Sequence, residues 1–429
     1  MMRSFFCSDM HSMPLFPRFL LIIVRKMFFS SLRCFPIQIK VVISHLKYHY
    51  LNLSEPMNAP APLEIRNNRS SEKFEVNGAF LKLTEQLKSE IEGKTLEEAI
   101  AYLVEKVKGK YLFSKRLKTV CYSIGMMNRI IDNGGAAKMV KISEALQVRG
   151  IELIANAIAA RPQVKAVLIA GPSSSGKTTF SKKLSMALEQ NGLQALCLSF
   201  DDYYVDRELT PRDETGDYDY ESIDAINVPL FQQHLARLLN GDEVELPRYD
   251  FQTGKSVSSG KQLRLAPGNI LIMEGIHALN PMLTSTIPAE NLFRIYISGL
   301  TVAKNDDGTY FPTTDNRLIR RMVRDAQFRN TTASATLARW PSVRRGEEKW
   351  IIPFQQNADV NFCTAFQYEL AVLKQKALPL LKDVQEDDPN YLEAKRLRWV
   401  LERFHEIPLD LLPSHSLLRE FMGGSAFEY

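Results

Sequence analysis

The sequence has few cysteines, and they follow no regular spacing. Five cysteines among 429 residues, with no Cys-x-x-Cys pair, exclude a disulfide-stapled scaffold and argue against a structural zinc site. Such a chain suits a reducing compartment, so we predict a cytoplasmic location. The sequence also lacks an apolar run near the roughly 20 residues that a membrane-spanning helix needs. We therefore expect no membrane partner.

Most of the chain also lacks a charge bias. Residues 1–56 hold 7 basic against 2 acidic side chains, and the rest of the chain holds 47 of each sign. The balanced part gives no electrostatic reason to bind nucleic acid, and we expect no nucleic-acid partner. A composition of 45% hydrophobic and 24% charged residues excludes a disordered or collagen-like chain.

Composition divides the chain into four stretches. The basic, aromatic-rich residues 1–56 are either a gene-model extension upstream of Met57 or a targeting segment. Residues 57–79 begin with a Pro-, Asn- and Ser-rich stretch and are predicted to be a flexible lead-in. Residues 80–161 have the apolar spacing of helices, and residues 162–429 alternate between strands and helices.

The alternating region predicts an α/β fold. Short apolar runs at 164–170, 195–200, 269–273 and 292–297 are separated by helical segments. Continuous apolar strands of this kind are typical of a parallel sheet covered by helices on both faces. We therefore predict a parallel sheet flanked by helices, preceded by a small helical region in which a helix spans about 138–161.

The strongest motif is VLIAGPSSSGKTTF at residues 167–180. Its glycines, Gly171 and Gly176, allow the backbone to bend so that successive N–H groups face one anion, and the following helix adds its positive end. Lys177 supplies a charge for the β- and γ-phosphates, and the Thr178 hydroxyl suits Mg²⁺. The motif predicts a nucleotide-phosphate loop, with ATP and Mg²⁺ as cofactors.

Two acidic residues follow predicted strands. Asp201 follows ALCLSF and Glu274 follows NILIM, so both are expected at the carboxyl edge of the sheet, where ligands bind. Glu274 is predicted to help hold Mg²⁺. Asp201 is predicted to accept a proton from an attacking hydroxyl.

A third feature is the arginine-rich segment DNRLIRRMVRD at 315–325. Arg317, Arg320, Arg321 and Arg324 share one helix face, which predicts a phosphate clamp, with a solvated charged face as the alternative. Residues 326–350 are predicted to form a lid that excludes water. The RRGEEKW stretch within it is equally compatible with a surface charge cluster.

Together these motifs carry a family resemblance. GPSSSGKTTF, the Asp-Asp-Tyr-Tyr strand end, PRYDF, the EGI triplet and DNRLIRRMVRD resemble the uridine kinase and phosphoribulokinase-like branch of P-loop kinases. The sequence is most similar to bacterial uridine kinase-like nucleoside kinases, including their C-terminal LLREFMGGSAFEY. The resemblance implies ATP-dependent phosphorylation of a nucleoside 5′-hydroxyl, with uridine or cytidine as acceptor in pyrimidine salvage.

The resemblance also implies roles for individual positions. Asp201 matches the general base, Lys177, Arg321 and Arg324 match phosphate and substrate contacts, and Arg329 matches a lid arginine. Tyr204, Glu221, Tyr249 and Phe251 match the nucleoside pocket, while Thr178 and Glu274 match the metal positions. The implied ATP-binding loop consists of Gly171, Ser173, Ser174, Ser175, Gly176, Lys177, Thr178 and Thr179.

Two departures limit the resemblance. Gly254 stands where uridine-cytidine kinases carry a pyrimidine-reading His, and Thr331 stands where they carry a second lid arginine. Base preference therefore stays open. The sequence also leaves open whether GTP can replace ATP and whether the protein forms a homo-oligomer. Two alternatives also stay open: a phosphoribulokinase-like sugar-phosphate kinase and a non-catalytic ATP-binding regulator.

Overall fold

The computed structural model describes residues 64–67, 70–73 and 122–429, apart from 215, 251, 301, 302, 310, 313 and 429. The predictions for residues 1–56, for most of 57–121 and for Phe251 lie outside these residues. In the first of two compact units, β1 (Glu64–Asn67) pairs antiparallel with β2 (Ser70–Lys73). This pair lies in the stretch that the sequence predicted as a flexible lead-in.

The described residues from Tyr122 onward belong to the second unit. Its strands are β3 (Ala166–Ala170), β4 (Ala195–Ser199), β5 (Glu243–Asp250), β6 (Lys255–Arg264), β7 (Ile270–Glu274), β8 (Leu292–Ser298) and β9 (Val360–Cys363). Its helices are α1 (Ile124–Asp132), α2 (Ala136–Ala159), α3 (Lys177–Glu189), α4 (Val228–Leu239), α5 (Asp315–Phe328), α6 (Ala333–Trp350), α7 (Glu369–Lys382), α8 (Tyr391–Glu402) and α9 (Arg419–Met422). None of these helices is both long and apolar enough to cross a bilayer.

Five of the strands form a parallel sheet in the order β4-β7-β3-β8-β9, and β5 and β6 form a separate hairpin. This confirms the predicted α/β fold and all four predicted strands of the sheet. The fifth strand, β9, was missed. Its four residues, VNFC, alternate between buried and exposed, so they lack the continuous apolar run that marks a central strand.

Two cores cover the two faces of the sheet. Every residue of β3 is buried, with Val167 and Ile169 in one core and Leu168 in the other. The first core contains apolar residues of α1, α2, α3, α5, α7 and α8, and the second contains those of α4 and the hairpin. The predicted boundary at residues 161–162 lies between α2 and the first strand of the sheet. Apolar residues of α2 and of this strand nevertheless belong to the same core.

The sheet register aligns the ends of three neighbouring strands. Glu274, the last residue of β7, lies opposite Ser199 of β4 on one side and Ile169 of β3 on the other. The segments that follow these strands therefore leave the sheet at one edge. Those segments are the phosphate loop after β3, the Asp201 turn after β4 and the chain after Glu274.

A buried ion pair joins α5 to α7 beside this edge. The Arg320 guanidinium, which is 0% exposed, donates to both carboxylate oxygens of Glu369 at 2.7 Å. Glu369 also accepts the backbone N–H of Phe366 at 2.7 Å. This pair links the two helices, and removing one partner would leave a buried charge uncompensated.

We predict that Glu369→Gln lowers the free energy of unfolding by about 3–5 kcal/mol, because Arg320 keeps its charge without a carboxylate partner. Urea unfolding followed by tryptophan fluorescence measures this, since all three tryptophans lie in α6 and α8. Glu393→Gln is the matched control, because its pair with Arg396 is partly exposed and worth under about 1 kcal/mol. Equal losses for the two variants would contradict the prediction.

Candidate active site

The phosphate loop connects β3 to α3. Gly176 ends the loop with φ +83°, in the left-handed region that favours glycine. A Cβ at Gly171 would lie 2.3 Å from the Ile297 carbonyl oxygen of β8, so the loop starts where no side chain fits. The Lys177 ammonium donates to the carbonyls of Gly171 and Pro172, at 3.1 and 3.5 Å. Both glycines are therefore required by the local backbone, as the motif predicts.

Arginines of α5 satisfy the carbonyls on the outer side of this loop. Arg317 donates to the Ser173 carbonyl at 3.1 Å, and Arg320 donates to the Ser174 carbonyl at 3.4 Å. Arg317 also forms a buried, two-bonded pair with Glu347 of α6. The prediction of a four-arginine phosphate clamp is thus wrong for Arg317 and Arg320, because both are buried in ion pairs behind the loop.

Oxygen ligands gather where α3 begins. The Thr178 hydroxyl donates to Glu274 Oε1 at 3.0 Å, and the Ser199 hydroxyl donates to the same atom at 3.3 Å. Burial raises the pKa of Glu274 to about 7, and the charge of Asp201 adds to the rise, while Lys177 opposes it. A desolvated carboxylate of this kind gains stability from a cation.

The two oxygens of Thr178 and Glu274 suit a Mg²⁺ ion that takes its other ligands from phosphate and water. They do not form a site in which the protein supplies every ligand of a metal. Among the described residues there is no group of three or more His, Cys, Asp or Glu side chains that could hold a metal. Mg²⁺ is commonly held by one or two protein oxygens and completes its shell with phosphate oxygens and water. Thr178 Oγ1 and Glu274 Oε1 meet that requirement.

Asp201 lies on a short turn directly after β4. Its backbone N–H donates to Ser199 Oγ at 3.2 Å, which anchors the turn to the strand end. Its side chain is half-buried and lines the same cavity as Lys177. Burial raises the pKa of the neighbouring Asp202 to about 6, and the charge of Asp201 contributes to that rise. Asp201 and the phosphate loop thus line one cavity.

Aromatic side chains line the far part of the cavity. The rings of Tyr204 and Tyr249 lie 5.4 Å apart, and the Tyr204 hydroxyl donates to the Tyr220 carbonyl at 3.1 Å. Tyr218 and Tyr220 also line the cavity. These tyrosines give the cavity apolar rings with polar hydroxyls, which suit a ring-shaped ligand.

Glu221 adds a carboxylate to this side. Removal from water raises the pKa of Glu221 to about 7, although the charge of Arg321 opposes the rise. Its Oε2 atom has no hydrogen-bond partner among the described residues. A Cβ at Gly346 of α6 would lie 2.3 Å from the Cβ of Glu221, so the absence of a side chain at Gly346 makes room for this carboxylate.

The remaining arginines gather around one carboxylate. Asp325 pairs with Arg321 at 3.3 Å, Arg324 at 2.7 Å and Arg329 at 3.7 Å. Arg321 also donates to Ser173 Oγ of the phosphate loop at 2.7 Å. Asp325 therefore holds three cations at the cavity wall.

One cavity of about 1210 Å³ brings most predicted site residues together. It is lined by Ser173, Ser174, Gly176, Lys177, Thr178, Asp201, Tyr204, Glu221, Tyr249, Glu274, Arg321, Arg324 and Arg329. Gly171, Ser175 and Thr179 belong to the loop and α3 but do not line the cavity. The roles assigned to all these residues stay predictions.

The predicted lid segment forms the end of α5 and all of α6. Within it, Arg344 pairs with Glu347 and Glu348, and Arg345 pairs with Asp213. Another side of α6, including Thr336 and Val343, lines the cavity. The segment thus combines a charged outer face with a wall of the cavity, and its closure stays a prediction.

Sequence reasoning missed several cavity residues, and two of them, Glu420 and Arg207, carry a charge close to predicted site residues. Glu420 of α9 lines the cavity; it lies within the C-terminal motif LLREFMGGSAFEY, but the sequence assigned it no role. Arg207 also lines it, and its side chain lies against Gly254: a Cβ there would lie 2.6 Å from Arg207 Nε. Gly254 in place of the pyrimidine-reading His of uridine-cytidine kinases indicated that this part of the site differs from theirs. It did not indicate that Arg207 lies there.

The central part of the chain is similar to known proteins. Residues 166–370 match a model described as the phosphoribulokinase / uridine kinase family. Uridine kinase of Lactobacillus johnsonii is 30% identical over 193 residues, which is 45% of this chain and 82% of that protein. Uridine kinase of Halobacterium salinarum is 26% identical over 196 residues, which is 46% of this chain and 78% of that protein.

The likeness to a solved phosphoribulokinase from Rhodobacter spheroides is weaker. That structure is 19% identical and has a TM-score of 0.31, covering 47% of this chain and 70% of that chain. The parallel sheet and its phosphate loop define a P-loop kinase fold. The chain belongs to the phosphoribulokinase / uridine kinase family.

We predict that Glu274→Gln weakens binding of the Mg²⁺–ADP complex by about tenfold, because the amide keeps the hydrogen bond from Thr178 but loses the charge that attracts the ion. Titration calorimetry with ADP, with and without Mg²⁺, measures this. ADP alone is expected to bind the variant at least as tightly as the wild type. An unchanged affinity for Mg²⁺–ADP would contradict the role of Glu274.

Proposed function

We propose that this protein transfers the γ-phosphoryl group of ATP to the 5′-hydroxyl of a nucleoside, with uridine or cytidine as the preferred acceptor. The observation that carries the proposal is the placement of Asp201 in one cavity with the phosphate loop, Glu274 and the tyrosine pair. One side of that cavity offers cations and loop N–H groups to a phosphate chain. The other offers a carboxylate and aromatic faces to an acceptor.

On the phosphate side, the work of the protein is positioning and charge neutralisation. Lys177 lies over the loop and reaches the β- and γ-phosphates, while Arg321 and Arg324 approach from α5. Thr178 and Glu274 would hold Mg²⁺, which when bound neutralises charge on the phosphate oxygens. Phosphoryl transfer requires little covalent chemistry from the protein, so this arrangement supplies the main requirement.

On the acceptor side, Asp201 is the proposed general base. Its carboxylate takes the proton of the acceptor hydroxyl as the hydroxyl oxygen bonds to the γ-phosphorus. The bond from that phosphorus to the bridging oxygen breaks, and ADP leaves with the electron pair. Arg321 and Arg324 stabilise the equatorial oxygens during the transfer.

The tyrosine pair favours a nucleoside over a smaller acceptor. The rings of Tyr204 and Tyr249 line the cavity, and stacking of a base on an aromatic side chain is worth about 1–3 kcal/mol. Glu221 lies between the tyrosines and α6, where it can accept hydrogen bonds from sugar hydroxyls. Uridine kinase relatives at 26–30% identity support the same acceptor class.

One observation favours the alternative, a sugar-phosphate acceptor. Arg207 lies at the acceptor side against Gly254, where the resemblance implies a base-reading His. A guanidinium binds phosphate well, because its planar fork donates two parallel hydrogen bonds. The test must therefore include a phosphorylated sugar beside the nucleosides.

The test is ADP release by the full chain with ATP, Mg²⁺ and a panel of nucleosides and ribulose 5-phosphate. We expect turnover with uridine or cytidine, and we expect Asp201→Asn to lower kcat by at least about a hundredfold. Asp202→Asn on the same turn is the matched control and should lose less than about tenfold, since Asp202 has no assigned role in the transfer.

Other outcomes of this panel have a defined meaning. Turnover of the sugar phosphate alone would replace the nucleoside acceptor with the alternative. Tight ATP binding without turnover of any acceptor would favour the non-catalytic regulator. Near-normal turnover in Asp201→Asn would contradict the assignment of the general base.

We also predict that the KM for the acceptor rises as the pH falls through about 7. Below that pH Glu221 takes up a proton and loses its capacity as a charged hydrogen-bond acceptor. The charged groups facing it are Arg321, Glu347, Lys177 and Asp201. Acceptor KM measured from pH 6 to 8 in wild type and Glu221→Gln checks this. The variant should have a high KM that does not change with pH, and a parallel pH profile would contradict the prediction.

A further inference from the structure

The C-terminal segment, residues 413–428, lies beyond the part of the chain that matches the family model. It is nevertheless part of the kinase core. Leu417, Leu418 and Phe421 are fully buried in the same core as Phe180 and Leu184 of α3. Any contact between this segment and the phosphate loop therefore involves residues that lie outside the family match.

Polar contacts fix this segment in place. The Arg419 guanidinium donates to the carbonyls of Leu409, Leu412, Pro413 and Gly423 at distances of 2.6–3.4 Å. Lys376 of α7 donates to the Met422 carbonyl at 2.7 Å. Arg320, which supports the loop from behind, lies 5.1 Å from the ring of Phe421. The segment thus forms a fixed wall and not a loose tail.

Two side chains of this wall touch the phosphate loop and α3. Leu417 packs on Gly176, where a Cβ would lie 2.6 Å from Leu417 Cδ2. Glu420 Oε2 accepts the Thr179 hydroxyl at 2.6 Å and the Thr179 backbone N–H at 3.2 Å. Thr179 is completely buried, and it follows Lys177 and Thr178 directly.

The contact uses two donors of the first turn of α3. N–H groups in the first turn of a helix have no partner within the helix, and a carboxylate there is stabilised by the helix dipole. Glu420 takes the N–H of the third residue of α3. The N–H groups of Gly176, Lys177 and Thr178 directly precede it in the chain, at the end of the loop and the start of α3. The turn is therefore held by a carboxylate 241 residues away along the chain.

We propose that Glu420 is a positioning residue for phosphoryl transfer. By holding Thr179, it sets the first turn of α3 so that Lys177 and Thr178 face the phosphate chain. The inference rests on the proposed function, because it requires that the loop binds a nucleotide. It does not depend on which acceptor is phosphorylated.

The experiment compares Glu420→Ala, Glu420→Gln and Thr179→Val in the full chain. We measure the Kd for ADP with and without Mg²⁺, the kcat, the KM of ATP and of the acceptor, and the Tm. Glu420→Ala is expected to weaken Mg²⁺–ADP binding and to lower kcat, each by about tenfold, because two hydrogen bonds to a charged group are lost. The acceptor KM should stay within about twofold.

Two variants separate positioning from general support of the fold. Glu420→Gln should recover most of the lost affinity, because its amide oxygen can accept both hydrogen bonds from Thr179. Thr179→Val removes the hydroxyl alone and should weaken Mg²⁺–ADP binding by about threefold, in the same direction. Glu428→Gln is the matched control, because its side chain is exposed in the same segment, and it should behave like wild type.

Failure of the inference and failure of the proposed function are distinguishable. If the wild type binds no ADP, the proposed function is wrong. If the wild type binds ADP and Glu420→Ala binds it equally well, with only a lower Tm, the inference is overturned. If Glu420→Ala does not fold, unchanged ADP binding by Thr179→Val overturns it instead.

Discussion

The site depends on how the phosphate loop satisfies its own backbone. A loop that turns its N–H groups toward an anion turns its carbonyls away, and buried carbonyls require donors. Arg317 and Arg320 supply donors to Ser173 and Ser174, and Thr364 donates to the Ser175 carbonyl at 2.5 Å. The buried partners Glu347 and Glu369 in turn compensate these arginines. The ion pairs between α5, α6 and α7 thus support the loop from behind.

Two sets of opposite charge in the cavity come from different elements. The carboxylates Asp201 and Glu274 come from the carboxyl edge of the sheet, whereas the cations Lys177, Arg321 and Arg324 come from the start of α3 and from α5. A phosphate chain with its metal ion would lie between the two sets, each facing the charge it stabilises. Desolvation raises the pKa of both Glu274 and Glu221 to about 7, so these carboxylates gain from ligands that bring cations or hydrogen-bond donors.

The elements outside the family match contribute to this arrangement. Helices α1 and α2 share the core of α3, and the C-terminal segment places Leu417 and Glu420 against the phosphate loop. The unit is therefore larger than the 166–370 match, because part of the wall around the loop comes from residues after 412.

The sequence by itself determined the phosphate loop, four of the five strands of the parallel sheet and the acidic residues at the carboxyl ends of two of them. These features depend on local spacing: a glycine-rich turn between an apolar strand and a helix needs no distant partner to be recognised. Only the tertiary structure decided which arginines of α5 face the cavity. Helical spacing shows that four arginines share a face. Two of them, Arg317 and Arg320, are paired with Glu347 and Glu369, which lie 30 and 49 residues further along the chain. The same holds for Glu420 and Arg207, because their partners are set by packing between distant segments and not by any local pattern.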